Sequence, residues 1–206
     1  MTKLKKESFF WTSYSDLMTS LFFVMLVLFI LTIVILHQGM KATKAQIDKI
    51  NEIEEAVNKI DSTYFEYNKV YKKHILKIMV NFPIGVSDIN VIDSHTQNEL
   101  IEAGRSIQST LEKISREYPK IQYLLVIEGQ ASKDNYSRNY ELSYERALAL
   151  RRLWSDNNID FGDNCEVLIS GSGIGGSMRE NEERLNQRFL IHIVPKPGIV
   201  EESKSK

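Results

Sequence analysis

One apolar run limits what this chain can fold into. Leu17–Leu36 is twenty residues without a charge, about 30 Å of helix, which matches the hydrocarbon thickness of a bilayer. Inside lipid a lone segment must satisfy its own backbone groups, so the run is expected to be an α-helix that crosses once. A cleaved signal peptide is the competing reading, but its apolar region would be about 7 to 15 residues long and would end at small residues. This run is longer and leads into His37-Gln38-Gly39-Met40-Lys41, which reads as an uncleaved anchor. Lys3, Lys5 and Lys6 precede it and Lys41 and Lys44 follow, a slight basic bias toward a cytoplasmic N-terminus. Trp11 and Tyr14 fit an aromatic belt at that interface. Everything after Leu36 would then lie outside the cytoplasm.

Asp16 stands just inside this segment. Between Trp11 and Ile30 it is the one acid, and there is no base, so any charge it bears lacks a partner within its own helix. Ionisable groups in spanning helices usually face a bundle interior and bind a proton, an ion or a substrate. The other reading is an N-cap, with Asp16 satisfying the first free N–H groups of a helix that starts at Leu17. Thr19 and Ser20, three and four residues on, share its side of the helix. Such a polar stripe is normally turned toward neighbouring helices, although hydroxyls bonded back to their own carbonyls explain it more cheaply.

At 206 residues the chain has room for the anchor and one modest domain, and its net charge of −1 argues against nucleic-acid binding as its task. Cys165 is the single cysteine and cannot form an internal disulfide. His37, His74, His95 and His192 are scattered without the i, i+4 spacing of a helical metal site, so no metal and no cofactor is expected. Cys165 as a thiol nucleophile near His192 is weaker than Cys165 as a small buried hydrophobe. No enzyme signature stands out.

From Lys41 to about Met79 the composition is Glu/Lys-rich without Gly or Pro. Ile50, Ile53, Val57, Ile60, Tyr64, Tyr67, Tyr71, His74 and Ile78 step alternately by three and four, the seam of a left-handed coiled coil. The alternatives are one amphipathic helix packed on the next domain, or a domain-facing strand or helix in the aromatic second half. Beyond Asn81-Phe82-Pro83-Ile84-Gly85, helices are expected over Ser94–Glu117 and Tyr136–Asn157, and strands over Ile121–Ile127, Glu166–Ser170 and Arg188–Val194. Helices alternating with strands predict a two-layer α/β domain. Gly171-Ser-Gly173-Ile-Gly-Gly176 matches a dinucleotide fingerprint, but the following helix and acid are missing, so a flexible loop is expected. The tail after Pro195 reads as disordered.

Two segments resemble known families. Tyr14-Ser15-Asp16-Leu17-Met18-Thr19, preceded by Trp11 and followed by the apolar run, resembles the membrane segment of MotB-type stator subunits. Residues from about 75 to 194 resemble the OmpA-like peptidoglycan-binding domain, through Ile127-Glu-Gly129, Asn139-Tyr-Glu-Leu142-Ser143-Tyr-Glu-Arg146-Ala147, Gly171-Ser-Gly173 and Asn186-Gln-Arg188-Phe. The resemblance implies that Asp16 is the ion-binding aspartate, with Thr19 and Ser20 beside it. It implies that Arg146 grips a free carboxylate of the peptide stem, a bidentate task suited to a guanidinium, with Asn139 and Leu142 in the same motif. Without the resemblance, Arg146 reads as a solvated helix charge paired with Glu145. Where the family has Gly-His-Thr-Asp, this chain has Gly129-Gln130-Ala131-Ser132. Ser132 thus replaces the acid that would hold the stem's ammonium group, and Asp134 is its candidate substitute.

The resemblance implies this layout: a cytoplasmic N-terminus (1–8), a transmembrane helix (9–37), a helical linker or plug with a coiled-coil pattern (38–74), the OmpA-like domain (75–195) and a disordered tail (196–206). It implies the B subunit of an ion-driven rotary motor in a bacterial inner membrane. Two copies would stand within five MotA-type multi-span subunits, with H+ or Na+ as the translocated ion and peptidoglycan as the anchor outside. The altered Gly-His-Thr-Asp motif and the short chain lean toward a non-flagellar machine such as the B component of Zorya antiphage defence. A flagellar stator subunit and a passive membrane-to-wall tether are the alternatives.

Overall fold

The computed structural model describes residues 3–58, 60–176 and 178–196, in two compact units, Met1–Lys49 and Ile50–Lys206. The first is nearly all one helix, α1 (Lys3–Val57), whose last turns belong to the second unit. Within α1 the stretch Ser13–Lys41 is long and apolar enough to cross a membrane. Leu21, Phe22, Phe23, Phe29 and Ile35 leave it on all sides and are exposed. A helix that is apolar all round is built to be covered, by lipid or by other protein.

The second unit is a two-layer α/β domain, as the alternating pattern predicts. Its five strands are β1 (Phe65–Asn68), β2 (Lys73–Leu76), β3 (Tyr123–Gln130), β4 (Cys165–Gly173) and β5 (Phe189–Pro195). They form one sheet in the order β1-β2-β5-β3-β4. The β3–β4 pair is parallel and the other neighbours are antiparallel. Helices α2 (Ser94–Glu117) and α3 (Asn139–Asp156) complete the layers, α3 being the crossover that a parallel pair requires.

Asp93 starts α2 by accepting the Thr96 N–H at 3.0 Å, an N-cap that the sequence places just before the apolar stripe Leu100, Ile107, Leu111 and Ile114. That stripe is buried with Tyr123, Leu125 and Ile127 of β3 and Leu150 and Trp154 of α3. Two glycines permit close approaches around α3. A Cβ on Gly104 would lie 2.6 Å from the Trp154 indole nitrogen, and one on Gly129 would lie 2.0 Å from the Ser143 carbonyl oxygen. Trp154 uses its closeness to α2 by donating to the Leu100 carbonyl at 2.7 Å.

Three expectations are corrected. The heptad seam over Ile50–Ile78 is not one helix: α1 ends at Val57, and β1 and β2 follow as a hairpin. Asn68 turns the hairpin by accepting the Val70 and Tyr71 N–H groups at 3.0 and 3.2 Å, with Lys72 at φ 52. The period-two alternation of two short strands, broken by this turn, mimics steps of three and four. Ile53, Val57 and Ile60 lie in the domain's own core rather than on a seam between two chains. The domain therefore begins near Ile50, not at 75. Finally, Gly171–Gly173 is the end of β4, not a flexible loop. A Cβ at Gly171 would lie 2.5 Å from the Tyr144 backbone nitrogen, and one at Gly173 2.7 Å from the Tyr140 ring, so the glycines let α3 lie against the strand.

Strand and helix limits move by a few residues. The helix expected from Tyr136 starts at Asn139, because Asp134 turns the preceding segment by accepting the Tyr136 N–H at 2.9 Å. The tail expected to be disordered lies, from residue 197, outside the described residues.

Candidate functional site

Arg146 projects from the inner side of α3 and is 2% exposed. Its Nε donates to the Val86 carbonyl at 3.0 Å and its Nη2 to the Pro83 carbonyl at 3.2 Å. Its guanidinium carbon stands 4.5 Å over the Phe82 ring. No acid lies within ion-pair distance among the described residues, and Nη1 has no hydrogen-bond partner among them. Pairing with Glu145 does not occur, since that carboxylate accepts from Ser87 Oγ at 3.1 Å. Burial lowers the arginine to about 10, so it is fully charged at neutral pH. A buried cation held by two carbonyls and an aromatic face, with both Nη1 hydrogens and one on Nη2 unspent, is set to receive an anion.

The loop from Phe82 to Ser87 forms this cradle. Gly85, at φ 73, allows the close approach of the Tyr136 ring, which would stand 3.1 Å from a Cβ there. Gln187 ties the loop to the β3 end: its Oε1 accepts the Phe82 N–H at 3.2 Å and its Nε2 donates to Ser132 Oγ at 3.0 Å. Ser132 is thus a member of the site, held by a neutral amide where an acid was expected by resemblance.

Asp134 lies beside them. Its Oδ1 accepts from Asn139 Nδ2 at 3.1 Å and from the Tyr136 N–H at 2.9 Å. The Asn139 bond holds its carboxyl below the ordinary range, helped by the Tyr136 N–H and by the charge of Arg146. Asn139 is 5% exposed, and its Oδ1 is a buried acceptor without a partner. Leu142 is buried core and offers no ligand contact. The structure therefore brings Arg146, Asn139, Asp134 and Ser132 together with unspent guanidinium donors, an unspent acceptor and a carboxylate. Phe82, Pro83, Val86 and Gln187 were not legible as members. The turn Asn81-Phe-Pro-Ile-Gly was visible, but nothing local shows that it folds under an arginine 60 positions on.

In α1, Asp16 is well inside a helix that already runs from Lys3. The N-cap reading fails, because there are no first free N–H groups for it to satisfy. Thr19 Oγ1 donates to the Ser15 carbonyl at 2.8 Å and Ser20 Oγ to the Leu17 carbonyl at 2.9 Å. The three residues share a side, but both hydroxyls donate to their own helix rather than to Asp16.

Other candidates lose ground. Burial raises the Cys165 thiol to about 11, which keeps it protonated and unreactive. Among the described residues no three His, Cys, Asp or Glu side chains are grouped to hold a metal ion.

No protein-family model matches the chain, and no curated protein does. Solved structures are similar to it. A MotB-like protein from Desulfovibrio vulgaris is 14% identical, with a TM-score of 0.42, covering 74% of this chain and 96% of that one. The C-terminal domain of Helicobacter pylori MotB is 13% identical at a TM-score of 0.42, covering 58% and 84%. The peptidoglycan-associated lipoprotein from Burkholderia pseudomallei is 18% identical at a TM-score of 0.36, covering 57% and 88%. At such scores and identities the likeness carries no inference about function.

Proposed function

We propose that this chain is a single-pass membrane protein whose outer domain grips peptidoglycan through Arg146. The observation that carries this reading is the buried guanidinium itself, with no acid within ion-pair distance among the described residues and Nη1 left over. A stem carboxylate would take that donor. A neighbouring ammonium or N–H would face Asp134 and the free Asn139 Oδ1, so that Asp134 stands in for the acid replaced by Ser132.

The membrane helix extends the proposal. Asp16 would carry H+ or Na+ as the B subunit of a MotA/MotB-like motor, two copies within five multi-span partners, N-terminus in the cytoplasm of an inner-membrane bacterium. Each elementary charge crossing 100 mV releases about 2.3 kcal/mol, several times thermal energy, and a wall-anchored domain would hold the subunit still while its partners turn. A Zorya-type defence machine fits this better than a flagellar one, because the Gly-His-Thr-Asp motif is altered. One observation favours the passive tether instead: Thr19 and Ser20 bond their own helix and so demand no neighbour.

Co-sedimentation of the full chain, in detergent, with purified sacculi tests the anchor. Retention that falls at least tenfold in Arg146→Lys, with the melting transition kept, supports it. Equal retention of a folded Arg146→Lys protein rejects it.

A further inference from the structure

His74 is a buried imidazole with no use in the proposed wall site. It lies on β2, 2% exposed, and neither Nδ1 nor Nε2 has a hydrogen-bond partner. The Tyr67 ring packs on it at 4.8 Å between centroids and the Phe65 ring meets it edge-on at 6.3 Å. Val57 and Glu54, from the last turns of α1, line the same small cavity together with His192 of β5. Glu54 also takes both of its hydrogen bonds, at 2.9 Å, from Lys72 in the hairpin turn. The end of α1 and the β1–β2 hairpin are therefore clasped to each other around this ring.

We propose that His74 is a proton-operated latch: neutral, it closes the hairpin and the last turns of α1 onto the sheet, and protonated, it releases them. The carboxylates nearest the ring are already paired in the closed form. Glu54 of α1 is committed to Lys72 of the turn, and Glu128 of β3 to Lys73 of β2. Tyr67 of β1 presents its ring, and His192 of β5 is a further titratable base that repels a second charge. Taking Glu128 would cost the partly buried Lys73 its partner, whereas Lys72, exposed in the turn, would give up Glu54 to solvent at little cost.

Burial lowers His74 from the ordinary 6.5 to about 4, His192 adds to the shift, and the nearby Ile191 carbonyl opposes it in part. His192 is itself lowered, by burial first and then by Lys73. The depressed histidine fixes the sign: the released form binds more protons than the closed one, so closure is favoured above the ordinary value and is lost as pH falls from there toward the buried value. The full change in the closing equilibrium is on the order of a hundredfold. Release is local because of the ladder. β2 joins β5 through His74↔Ile191 and Ile75↔Leu190, whereas β3 pairs with β5 from Tyr123 to Gly129. Opening the hairpin breaks the thinnest seam of the sheet and leaves the rest.

The test is amide hydrogen exchange of the full chain in detergent at pH 7.5 and 4.5, corrected for the intrinsic pH dependence of exchange. Protection over residues 50–76 is expected to fall by tens of fold at pH 4.5, while α2, α3 and β3 keep theirs. His74→Leu is expected to erase the response, since the ring nitrogens have no partner to lose. Unchanged protection over 50–76, an equal fall in His74→Leu, or loss of protection across the whole domain at once overturns the latch. Should His74→Leu not fold, imidazole titration by NMR in the native chain decides. A His74 that is neutral above pH 5 supports the proposal, and one that titrates near 6.5 with the hairpin still protected overturns it. Loss of sacculus binding would leave all of these outcomes intact.

Discussion

The Arg146 guanidinium stands 4.5 Å over the Phe82 ring, and that one contact joins the loop after β2 to the helix after β3. Beside its proposed part in recognition, the cation contributes to structure, because it satisfies the Val86 and Pro83 carbonyls. Replacing it therefore has two separable effects. Arg146→Ala should lower stability by about 1 to 3 kcal/mol through the carbonyls left unpaired and should abolish retention on sacculi. Arg146→Lys keeps the charge and loses the planar fork, so retention should fall while most of the stability remains. Urea melts read beside co-sedimentation separate the two. A folded lysine variant that binds as well as the native chain would reject the anchor through Arg146.

Ser132 offers the converse experiment. It sits in the site, bonded to Gln187 Nε2, at the position where the family resemblance implies an acid. Ser132→Asp should keep the Gln187 bond, since a carboxylate accepts it as well, and add a negative group for the stem's amine. Retention on sacculi should rise. No change, with the fold intact, would mean that Asp134 already serves that amine alone.

Asp134 gives a pH dependence. Its carboxyl is held low, chiefly by the Asn139 side chain, so the folded state prefers it ionised. What it contributes is present above the ordinary carboxylate value near 3.8 and is lost as pH falls through the lower folded value. Wall retention should thus stay level as pH falls from neutral to the ordinary carboxylate value, and drop only below it. Asp134→Asn should remove that drop and lower retention at every pH. A titration of retention against pH in both proteins checks it, and identical curves would take Asp134 out of the site.

Much of the domain was legible because its signals are local. The Asp93 cap and the stripe from Leu100 to Ile114 define α2 without tertiary help, and the apolar runs of β3 and β5 are too short for helices. The hairpin was only half legible: a domain-facing strand in the aromatic second half was one alternative, but Tyr64, Tyr67, Tyr71 and His74 satisfy the helical spacing by accident and only pairing with β5 decides for strand. The site was half legible. Arg146, Asn139 and Asp134 lie in one stretch of sequence, whereas Phe82, Pro83, Val86 and Gln187 arrive from distant parts of the chain. The glycine cluster at 171–176 misled for a related reason: glycine marks both loose turns and tight packing, and only the presence of Tyr140 against it tells which.

Packing at the glycines predicts the strongest folding effects. Gly129→Ala would force a Cβ to within 2.0 Å of the Ser143 carbonyl oxygen, backbone against backbone, with no side chain to swing away. A cost of at least about 3 kcal/mol is expected. Gly104→Ala meets the Trp154 ring instead and endangers its bond to Leu100. Both should lower the melting temperature of the full chain, Gly129→Ala more. A Gly129→Ala protein as stable as the native one would contradict the close approach of β3 and α3.

Asp16 carries the prediction that reaches furthest. It stands inside α1 with no cap to make, and the hydroxyls of Thr19 and Ser20 donate to the helix backbone rather than to its carboxylate. In lipid an unpartnered carboxylate is costly, so either a neighbouring protein surrounds it or an ion neutralises it. Asp16→Asn keeps size and polarity and removes the titratable charge. If the chain is a motor subunit, the complex purified with the product of its adjacent gene should keep two copies of this chain and five of its partner by native mass spectrometry, while ion-driven activity disappears. Normal activity in Asp16→Asn would sink the ion carrier. One or three copies of this chain, or no partner at all, would leave a tether that holds a membrane to its wall.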